Sequence, residues 1–547
     1  AKVKVQSSSK QPLSGADIKY KVGGSTLAFG TTNGDGIAIK ALFAGTYEMY
    51  AVYNKTTSAT EWVNVTADVG DDKIDHTFVA TLVTLNFPGT IKYKVGSNTY
   101  AFKSPMALFP GKYEFIFSKS GWPTFTRNLT IGGSPVNDSF GIVALKDSKG
   151  NGLEGGSVSY YAGKWENNVA TTGSDGYALL QVPAGSNPTT IVMNYKGGRA
   201  EKKMSSDTSY YEFQTIAFTV KLVDSKGEKL DGGAAKYYGG GEWRVFGTGI
   251  ANSSMELLPG QYSIAVSYNG REQKDGVKVD EEHTEVVFQT GAVIFHYAGG
   301  TLCYYTGGSW QVYTDPLEMM PDPNGISFEL RRSGWPAGKF KVTPEAGKVY
   351  EKTLAYIRLV DSSGKNGIKD GVAAYYDGGW YTLGNTGADG IYFAQLDGNK
   401  AKSMTFKMEL GGGSNQKSQN LATDSFILFQ TKGVTFRLLD SNGNDLEGGA
   451  SYYAGGWKTF GSGVTKTSME LLPGSYTFKV TYRGASVQRT ETVSDENKDI
   501  IFQTASVKVL LKNLSGKKEL DGTSSFYAGG WQDIGPTGTP IELLPTS

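Results

Sequence analysis

The sequence predicts an all-β protein, a tandem array of β-sandwich domains that forms an elongated rod. Three observations predict this fold class: short runs in which apolar and polar residues alternate, abundant turn residues (73 glycines among 547 residues), and motifs that recur along the chain. Alternation places every second side chain on the same face, which is typical of a half-buried strand. Because the chain is longer than one ordinary domain, the recurring motifs indicate several consecutive domains.

Two recurring runs supply most of the strands. GVTFRLLDSNG (433–443) places Val434, Phe436 and Leu438 on one face and then turns at DSNG. MELLPGSYTFKVTYRG (469–484) adds a Pro-Gly turn and a second alternating strand. The tag FQT closes four copies of the repeat, at 213–215, 288–290, 429–431 and 502–504.

These motifs divide the chain into eight segments, each of which we expect to form one β-sandwich. The segments are 1–79, 80–140 (short), 141–215, 216–290, 291–354 (short), 355–431, 432–504 and 505–547 (incomplete). Segments 2 and 5 share SGWP, segments 3 and 6 share a TGxDG turn, and segments 4 and 7 share MELLPG, so a triplet of domains is itself duplicated. Segment 8 matches only the first half of a repeat. Either a longer protein continues beyond it, or another chain supplies the missing strands.

Linkers between the segments are almost absent. FQT passes into the next alternating run within a few residues, and no Gly/Ser-rich or Pro-rich stretch separates the repeats. Direct joints of this kind leave little hinge freedom, which predicts a stiff rod. At roughly 3.3 Å per strand residue, each domain would be about 30–40 Å long and the rod would exceed about 200 Å.

Composition argues against several classes of function. Lysine plus arginine (54) nearly balances aspartate plus glutamate (53), so we expect no nucleic-acid partner. No run of about 18 apolar residues is present, so we expect no direct membrane insertion. The chain opens on Ala1 rather than Met, as a processed or truncated chain would.

Metal and cofactor chemistry also lacks support in the sequence. Cys303 is the one cysteine, and His76, His283 and His296 are scattered without a second ligand at a metal-site spacing. DSNGNDLE (440–447) faintly resembles a calcium loop, but related turns lack the needed oxygens, so a plain turn is the simpler interpretation. No nucleophile–base–acid set recurs, and we predict no enzyme, no cofactor and no metal site.

The motifs resemble a known group of domains. LVDSKGEKLDGGAAKYY (222–238), QPLSGADIKY (11–20), TTNGDGIAI (31–39) and FAGTYEMYAVY (43–53) are similar to prealbumin-like or Ig-like β-sandwiches, the carboxypeptidase regulatory-like and collagen-adhesin B-type domains of prokaryotic surface proteins. This resemblance covers nearly the whole chain. It implies seven-stranded sandwiches in extracellular stalks. The Lys–Asn cross-link of collagen-adhesin B-type domains is not expected here, because the first strands lack a consistent lysine.

An aromatic hairpin recurs six times. In ASYYAGGWKTF (450–460), Ala450 and Tyr452 are expected to point inward, so Tyr453 and Trp457 face outward on either side of a tight glycine turn. The pairs predicted in this way are Tyr161–Trp165, Tyr238–Trp243, Tyr305–Trp310, Tyr376–Trp380, Tyr453–Trp457 and Tyr527–Trp531.

Three interpretations of these pairs stay open. A cross-strand aromatic pair stabilises a hairpin by about 0.2–1 kcal/mol, so duplication alone explains the repetition. Exposed Tyr and Trp also suit packing between chains. The third interpretation is stacking on the sugar rings of cell-surface glycans. Trp122 and Trp335 in SGWP are expected to pack over a turn or a domain junction.

Together these observations predict a non-enzymatic extracellular structural protein. It would be the repetitive shaft or subunit of a cell-surface fibre, filament or surface layer, and would self-associate through domain edges or outer aromatics. The alternative is a carbohydrate-binding adhesin that uses the Tyr–Trp pairs. Six sequons for N-glycosylation are also present, at Asn54, Asn64, Asn128, Asn137, Asn252 and Asn513.

Overall fold

The structure, a computed structural model, describes residues 1–67, 72–205 and 208–545. Within these ranges every regular element is a β-strand, and no helix is long and apolar enough to cross a bilayer. The chain divides into two compact units: Ala1–Leu222, Lys229–Ser267 and Glu272–Phe288 form the first, and Val223–Glu228, Tyr268–Arg271 and Gln289–Ser547 form the second.

The strands of segments 1 to 3 are β1 (Lys2–Ser7), β2 (Asp17–Val22), β3 (Ser25–Thr31), β4 (Ile37–Ile39), β5 (Gly45–Tyr53), β6 (Thr56–Thr57), β7 (Glu61–Val65), β8 (His76–Asn86), β9 (Thr90–Val95), β10 (Asn98–Phe102), β11 (Met106–Leu108), β12 (Gly111–Ser118), β13 (Phe125–Ile131), β14 (Val136–Lys146), β15 (Ser157–Tyr161), β16 (Trp165–Thr171), β17 (Tyr177–Pro183), β18 (Thr190–Tyr195), β19 (Gly198–Lys203) and β20 (Tyr210–Gln214). The strands of segment 4 are β21 (Ile216–Val223), β22 (Ala234–Gly239), β23 (Glu242–Ile250), β24 (Ser253–Leu257), β25 (Gly260–Tyr268), β26 (Arg271–Val279) and β27 (Glu285–Gln289).

The strands of segments 5 and 6 are β28 (Gly291–His296), β29 (Thr301–Thr306), β30 (Ser309–Val312), β31 (Leu317–Met319), β32 (Ile326–Arg331), β33 (Gly338–Val342), β34 (Val349–Val360), β35 (Val372–Tyr376), β36 (Trp380–Asn385), β37 (Ile391–Asp397), β38 (Ser403–Leu410), β39 (Gly413–Asn420) and β40 (Phe426–Gln430). The strands of segments 7 and 8 are β41 (Lys432–Leu439), β42 (Gly449–Tyr453), β43 (Trp457–Val464), β44 (Thr467–Leu471), β45 (Gly474–Tyr482), β46 (Ala485–Val493), β47 (Asp499–Gln503), β48 (Ala505–Lys508), β49 (Thr523–Tyr527), β50 (Trp531–Pro536) and β51 (Pro540–Leu543).

Segment 7 shows how one sandwich is built. Its two sheets have the strand orders β44-β41-β47 and β43-β42-β45-β46. Val434 and Phe436 from the first sheet and Phe478 and Val480 from the second are fully buried and belong to one core. The alternation read from the sequence therefore places these residues between two sheets, and the predicted class of tandem β-sandwiches is confirmed.

Three long strands pass without interruption from one segment into the next. β8 pairs with β1 in segment 1 and with β11 in segment 2, and β14 pairs with β8 on one side and with β17 and β20 further along. In the second unit, β34 likewise pairs with β28, β37 and β40. A shared strand fixes both flanking sheets through backbone hydrogen bonds, which is the direct joint that the absence of linkers predicts.

The first and last strands of a segment lie side by side and parallel. In segment 7, β41 pairs with β47 from Thr435–Asp499 to Leu439–Gln503. In segment 1, β1 pairs with β8 in the same way. Chain entry and chain exit are therefore bridged by several backbone hydrogen bonds.

Candidate functional site: aromatic hairpins and domain junctions

Each predicted aromatic pair lies directly across its hairpin. Tyr453 on β42 is opposite Trp457 on β43, with ring centroids 5.6 Å apart and planes at 74°. Ala450, Tyr452 and Phe460 are buried on the other face, in the parity that the sequence indicates. The other five pairs have centroid distances of 5.2–5.8 Å: Tyr161–Trp165, Tyr238–Trp243, Tyr305–Trp310, Tyr376–Trp380 and Tyr527–Trp531.

The tryptophan always lies on an edge strand of its sheet. β16, β23, β30, β36 and β43 are the edges of four-stranded sheets, and β50 belongs to a two-stranded sheet. In five of the six hairpins the pairing of the two strands contains a register shift; β29 and β30 pair without one. A bulge of this kind twists an edge strand and discourages addition of a further strand.

A cation lies over the tryptophan ring in five of the six copies. The Lys479 ammonium group is 4.1 Å from the Trp457 ring centroid. The equivalent contacts are Arg199 with Trp165, Lys236 and Lys274 with Trp243, Arg331 with Trp310, and Lys407 with Trp380. The Tyr ring and the cation together form what we call the aromatic–cation cluster. Such a cluster stabilises the hairpin, with the cation–π contact contributing about 0.5–1 kcal/mol at an exposed site.

The cluster covers much of each tryptophan. The five tryptophans that have such a cation are 36–42% exposed. A pyranose ring needs an open aromatic face. In the five complete clusters, a cation already lies over the ring, so the face that it covers is not free for stacking.

The tryptophans of SGWP pack where segments meet. Trp122 stacks on Tyr210 with centroids 5.3 Å apart and planes at 25°. Trp335 contacts Tyr356 and Phe426 edge to face, at 5.2 and 5.0 Å. Tyr356 and Phe426 lie on strands of segment 6, so Trp335 packs where segments 5 and 6 meet.

A second recurring site, which the sequence analysis missed, joins consecutive segments through one carboxylate. Glu470 on β44 of segment 7 accepts hydrogen bonds from the Ser362 amide (3.0 Å) and the Ser362 hydroxyl (2.6 Å), both in segment 6. The carboxylate oxygen that accepts the Ser362 amide also accepts a hydrogen bond from the Thr431 hydroxyl at the end of segment 6. We call this set of one Glu, one Ser and one Thr the junction latch.

The junction latch occurs four times with nearly the same geometry. The Ser hydroxyl lies 2.6–2.7 Å from one carboxylate oxygen, and the Ser amide lies 3.0–3.1 Å from the other. The four sets are Glu256–Ser148–Thr215, Glu318–Ser225–Thr290, Glu470–Ser362–Thr431 and Glu542–Ser441–Thr504. In the last set, hydrogen bonds from the Ser441 and Thr504 hydroxyls lower the pKa of Glu542.

The joint between segments 1 and 2 has neither the Glu nor the Thr of the latch. Ala107 pairs with Leu82 as Glu542 pairs with Ser506, and Ala80 occupies the place of the latch threonine. Both alanines are buried and belong to one apolar cluster. At these five joints, the Glu and Thr positions therefore hold either a carboxylate and a hydroxyl or two small apolar groups. This matched replacement indicates that the Glu and the Thr act as a unit.

A third contact connects the end of one segment with the aromatic hairpin of the next. The Tyr452 hydroxyl donates to the Gly411 carbonyl (2.9 Å), and the Tyr237 hydroxyl donates to the Lys196 carbonyl (2.9 Å). Gly412 has φ +90°, and a Cβ there would lie 2.4 Å from the Ala454 backbone oxygen. Only glycine allows this close approach.

In the turns that faintly resemble calcium loops, the aspartate carboxylate accepts hydrogen bonds from other residues of the same turn. Asp440 accepts hydrogen bonds from the Asn442 and Asn444 amides and from the Asn444 side chain, at 2.7–2.9 Å. The equivalent turn around Asp361 is held by the Ser363 hydroxyl and by Asn366, which lower the pKa of Asp361 to about 2. Within the described ranges, no group of three or more His, Cys, Asp or Glu is placed to hold a metal ion.

The sequon asparagines differ in their surroundings. Asn64, Asn128 and Asn137 are exposed, whereas Asn54, Asn252 and Asn513 are half-buried. Asn513 caps a turn by accepting the Lys517 and Lys518 amides at its side-chain oxygen.

No family model matches the chain, and no curated protein matches it. Several solved structures are similar over part of its length. The TIE protein of Bacillus anthracis is 11% identical, over 78% of this chain and 72% of that chain, with a TM-score of 0.13. BcpA, the major pilin subunit of Bacillus cereus, is 9% identical over 68% and 99% (TM-score 0.14), and the major pilin RrgB of Streptococcus pneumoniae is 8% identical over 78% and 99% (TM-score 0.15). These TM-scores are too low to establish a shared overall arrangement.

Proposed function

We propose that this chain is a non-enzymatic extracellular structural protein, the repetitive shaft or a subunit of a cell-surface fibre, filament or surface layer. The observation that carries the proposal is the junction latch. The same carboxylate, amide and hydroxyl geometry recurs at four joints, and a matched apolar pair replaces it at a fifth. Four joints that are fixed by the same hydrogen bonds are suited to transmit force from one domain to the next.

The parallel pairing of first and last strands supports the same function. A force applied to both ends of segment 7 would act on β41 and β47 along the strand direction. The backbone hydrogen bonds between them would be sheared together rather than opened one after another. Shearing several bonds at once requires more force than unzipping them in sequence.

Self-association through domain edges or outer aromatics completes the proposal. Tyr and Trp are favoured at protein interfaces, and the Tyr–Trp pairs recur on hairpins with an edge strand in six segments. The experiment that tests the function is electron microscopy of the purified protein over a concentration series. Regular filaments or sheets would support a fibre or layer subunit, and single stiff rods at every concentration would restrict the function to a stalk. Compact particles without extended assemblies or stalks would contradict both.

The second candidate function is carbohydrate binding by the Tyr–Trp pairs. The partly exposed Tyr and Trp rings of the pairs favour it, while the cations over five of the tryptophans oppose it. Substituting Trp380, Trp457 and Trp531 together with Ala separates the functions. Loss of assembly with folding intact would favour packing between chains, and loss of retention on a glycan array would favour carbohydrate binding. Loss of folding would assign the pairs to hairpin stability.

A further inference from the structure

The sequon asparagines fall into two groups according to what the side-chain nitrogen does. The Asn54 nitrogen donates to the Ala107 carbonyl (2.9 Å), and the Asn252 nitrogen donates to the Leu230 carbonyl (2.9 Å). The Asn252 oxygen also accepts the Leu222 amide (3.0 Å). A sugar on either nitrogen would have to fit beside the carbonyl to which that nitrogen donates, between separate parts of the fold.

The second group presents a free amide to solvent. Asn64, Asn128 and Asn137 are exposed, and none of their side-chain amides forms a hydrogen bond with the part of the chain that the structure describes. Thr130 and Ser139, the hydroxyl residues of two of these sequons, are exposed as well. A glycan at these positions would leave the fold unchanged.

Asn64 and Asn128 also lie on corresponding edge strands. β7 pairs with β5, and β13 pairs with β12, each at the rim of its sheet. An uncovered edge exposes backbone groups that can recruit another strand. A glycan in the middle of such a strand would hinder that pairing by its bulk.

The duplicated copy of segment 2 protects the same edge by a different means. Asn128 on β13 is opposite Glu114 on β12, and Lys341 on β33 is opposite Ser327 on β32 at the matching position. A lysine on an edge strand is a common protection against strand addition. Segment 5 thus has a charge where segment 2 has a sequon.

The space beside Asn128 is open enough for a sugar. Asn128 and Asn137 both line a groove of about 820 Å³ that also includes Pro135, Asp138 and Gln181. The two sequons therefore share one open, polar surface of the first unit.

We propose that Asn64, Asn128 and Asn137 are N-glycan acceptors of this chain, and that Asn54 and Asn252 are not. The donor is an oligosaccharide on a lipid pyrophosphate, transferred by an oligosaccharyltransferase. The asparagine nitrogen forms a bond to the anomeric carbon and loses a proton, and the bond from that carbon to the lipid pyrophosphate breaks. Asn513 belongs to neither group, because its side-chain oxygen, and not its nitrogen, forms the hydrogen bonds.

The test is site-by-site occupancy of the full chain secreted from a cell that performs N-glycosylation. Release of the glycans with a peptide N-glycosidase in heavy-oxygen water marks each occupied asparagine for mass spectrometry. We expect occupancy at Asn64, Asn128 and Asn137, and no detectable occupancy at Asn54 or Asn252. Empty sites at Asn128 and Asn137, or occupancy of Asn54 or Asn252 equal to that of Asn128, would overturn the proposal.

A matched pair of variants checks that Asn128 is modified through its sequon. Thr130→Ala removes the acceptor hydroxyl and is expected to abolish occupancy at Asn128, whereas Thr130→Ser keeps it. Both variants leave Asn128 in place, and Thr130 is exposed, so folding is expected to be unaffected. Glycan on Asn128 in the alanine variant would contradict the assignment.

Discussion

Removing one junction carboxylate is expected to loosen the joint between segments 6 and 7 while both cores remain intact. In Glu470→Ala, the Ser362 amide, the Ser362 hydroxyl and the Thr431 hydroxyl all lose their carboxylate acceptor. The Thr431 hydroxyl retains only a longer contact, 3.3 Å, to the Val360 carbonyl. The side chain is removed from a half-buried position, so no large cavity forms.

The magnitude follows from the three hydrogen bonds. A hydrogen bond to a charged group contributes about 1.5–3 kcal/mol, and neutral bonds contribute about 0.5–1.5 kcal/mol. Because water reaches Glu470, about 1 kcal/mol for each bond is appropriate, which gives about 3 kcal/mol for Glu470→Ala. Glu470→Gln keeps one acceptor oxygen and is expected to cost about 1 kcal/mol.

The Ser362 amide is the local reporter, because its hydrogen bond goes to Glu470 alone among the described residues. In native-state hydrogen exchange of the full chain, a loss of about 3 kcal/mol corresponds to roughly 100-fold faster exchange through local opening. Ser468→Ala, an exposed position on the same strand as Glu470, is the control and is expected to change exchange little. Equal exchange of the Ser362 amide in Glu470→Ala and Ser468→Ala would refute the reasoning.

Three further predictions concern other parts of the fold. Tyr476→Phe removes a buried 2.8 Å hydrogen bond to the carbonyl four residues earlier and is expected to destabilise by about 1–2 kcal/mol, measured by calorimetry; an unchanged transition would contradict this. Ala107→Glu places a carboxylate next to buried Ala80 and is expected to lower the melting temperature, and adding Ala80→Thr should restore part of the loss; simple additivity in a double-mutant cycle would count against a coupled latch. The pKa of Asp361 is lowered to about 2, chiefly by the Ser363 hydroxyl, so its stabilisation is present above the ordinary value of 3.8 and is lost as the pH falls toward 2; acid melts of Asp361→Asn should lack this component, and identical acid profiles would contradict it.

The fold and much of the hairpin geometry follow from local patterns. Period-two alternation identifies Val434 and Phe436 as inward-facing, and both are fully buried. Parity across the glycine turn places Tyr453 opposite Trp457. These features depend on neighbours in the same strand or hairpin, which the sequence displays directly.

The junction latch escaped prediction because its members are far apart in the chain. Ser362 and Glu470 are brought together only when two sandwiches pack end to end. A signal was present all the same: a carboxylate recurs among apolar residues in MELLP, and Ala107 and Ala80 replace Glu and Thr together in the first joint. Reading the repeats against one another for paired replacements would have found it.

The cations over the tryptophans were missed for a related reason. Lys479 lies on the strand next to the aromatic hairpin, and its distance from Trp457 depends on the register of β45 against β42. Register is a property of the sheet, so the sequence left packing and sugar binding open beside hairpin stabilisation. The observed cation now weighs against sugar stacking at five of the six sites.

The sequence by itself determined the all-β class, the tandem repeats and the faces of the main strands, because alternation and turn chemistry act over a few neighbouring residues. Only the tertiary structure decided how one domain is fixed to the next and which polar side chains are already engaged. Those properties depend on groups that are distant in sequence, such as Glu470 and Thr431 or Asn54 and Ala107, meeting across a joint. Hydrogen bonds of this kind require both partners to be positioned by separate cores, and no local pattern records that positioning.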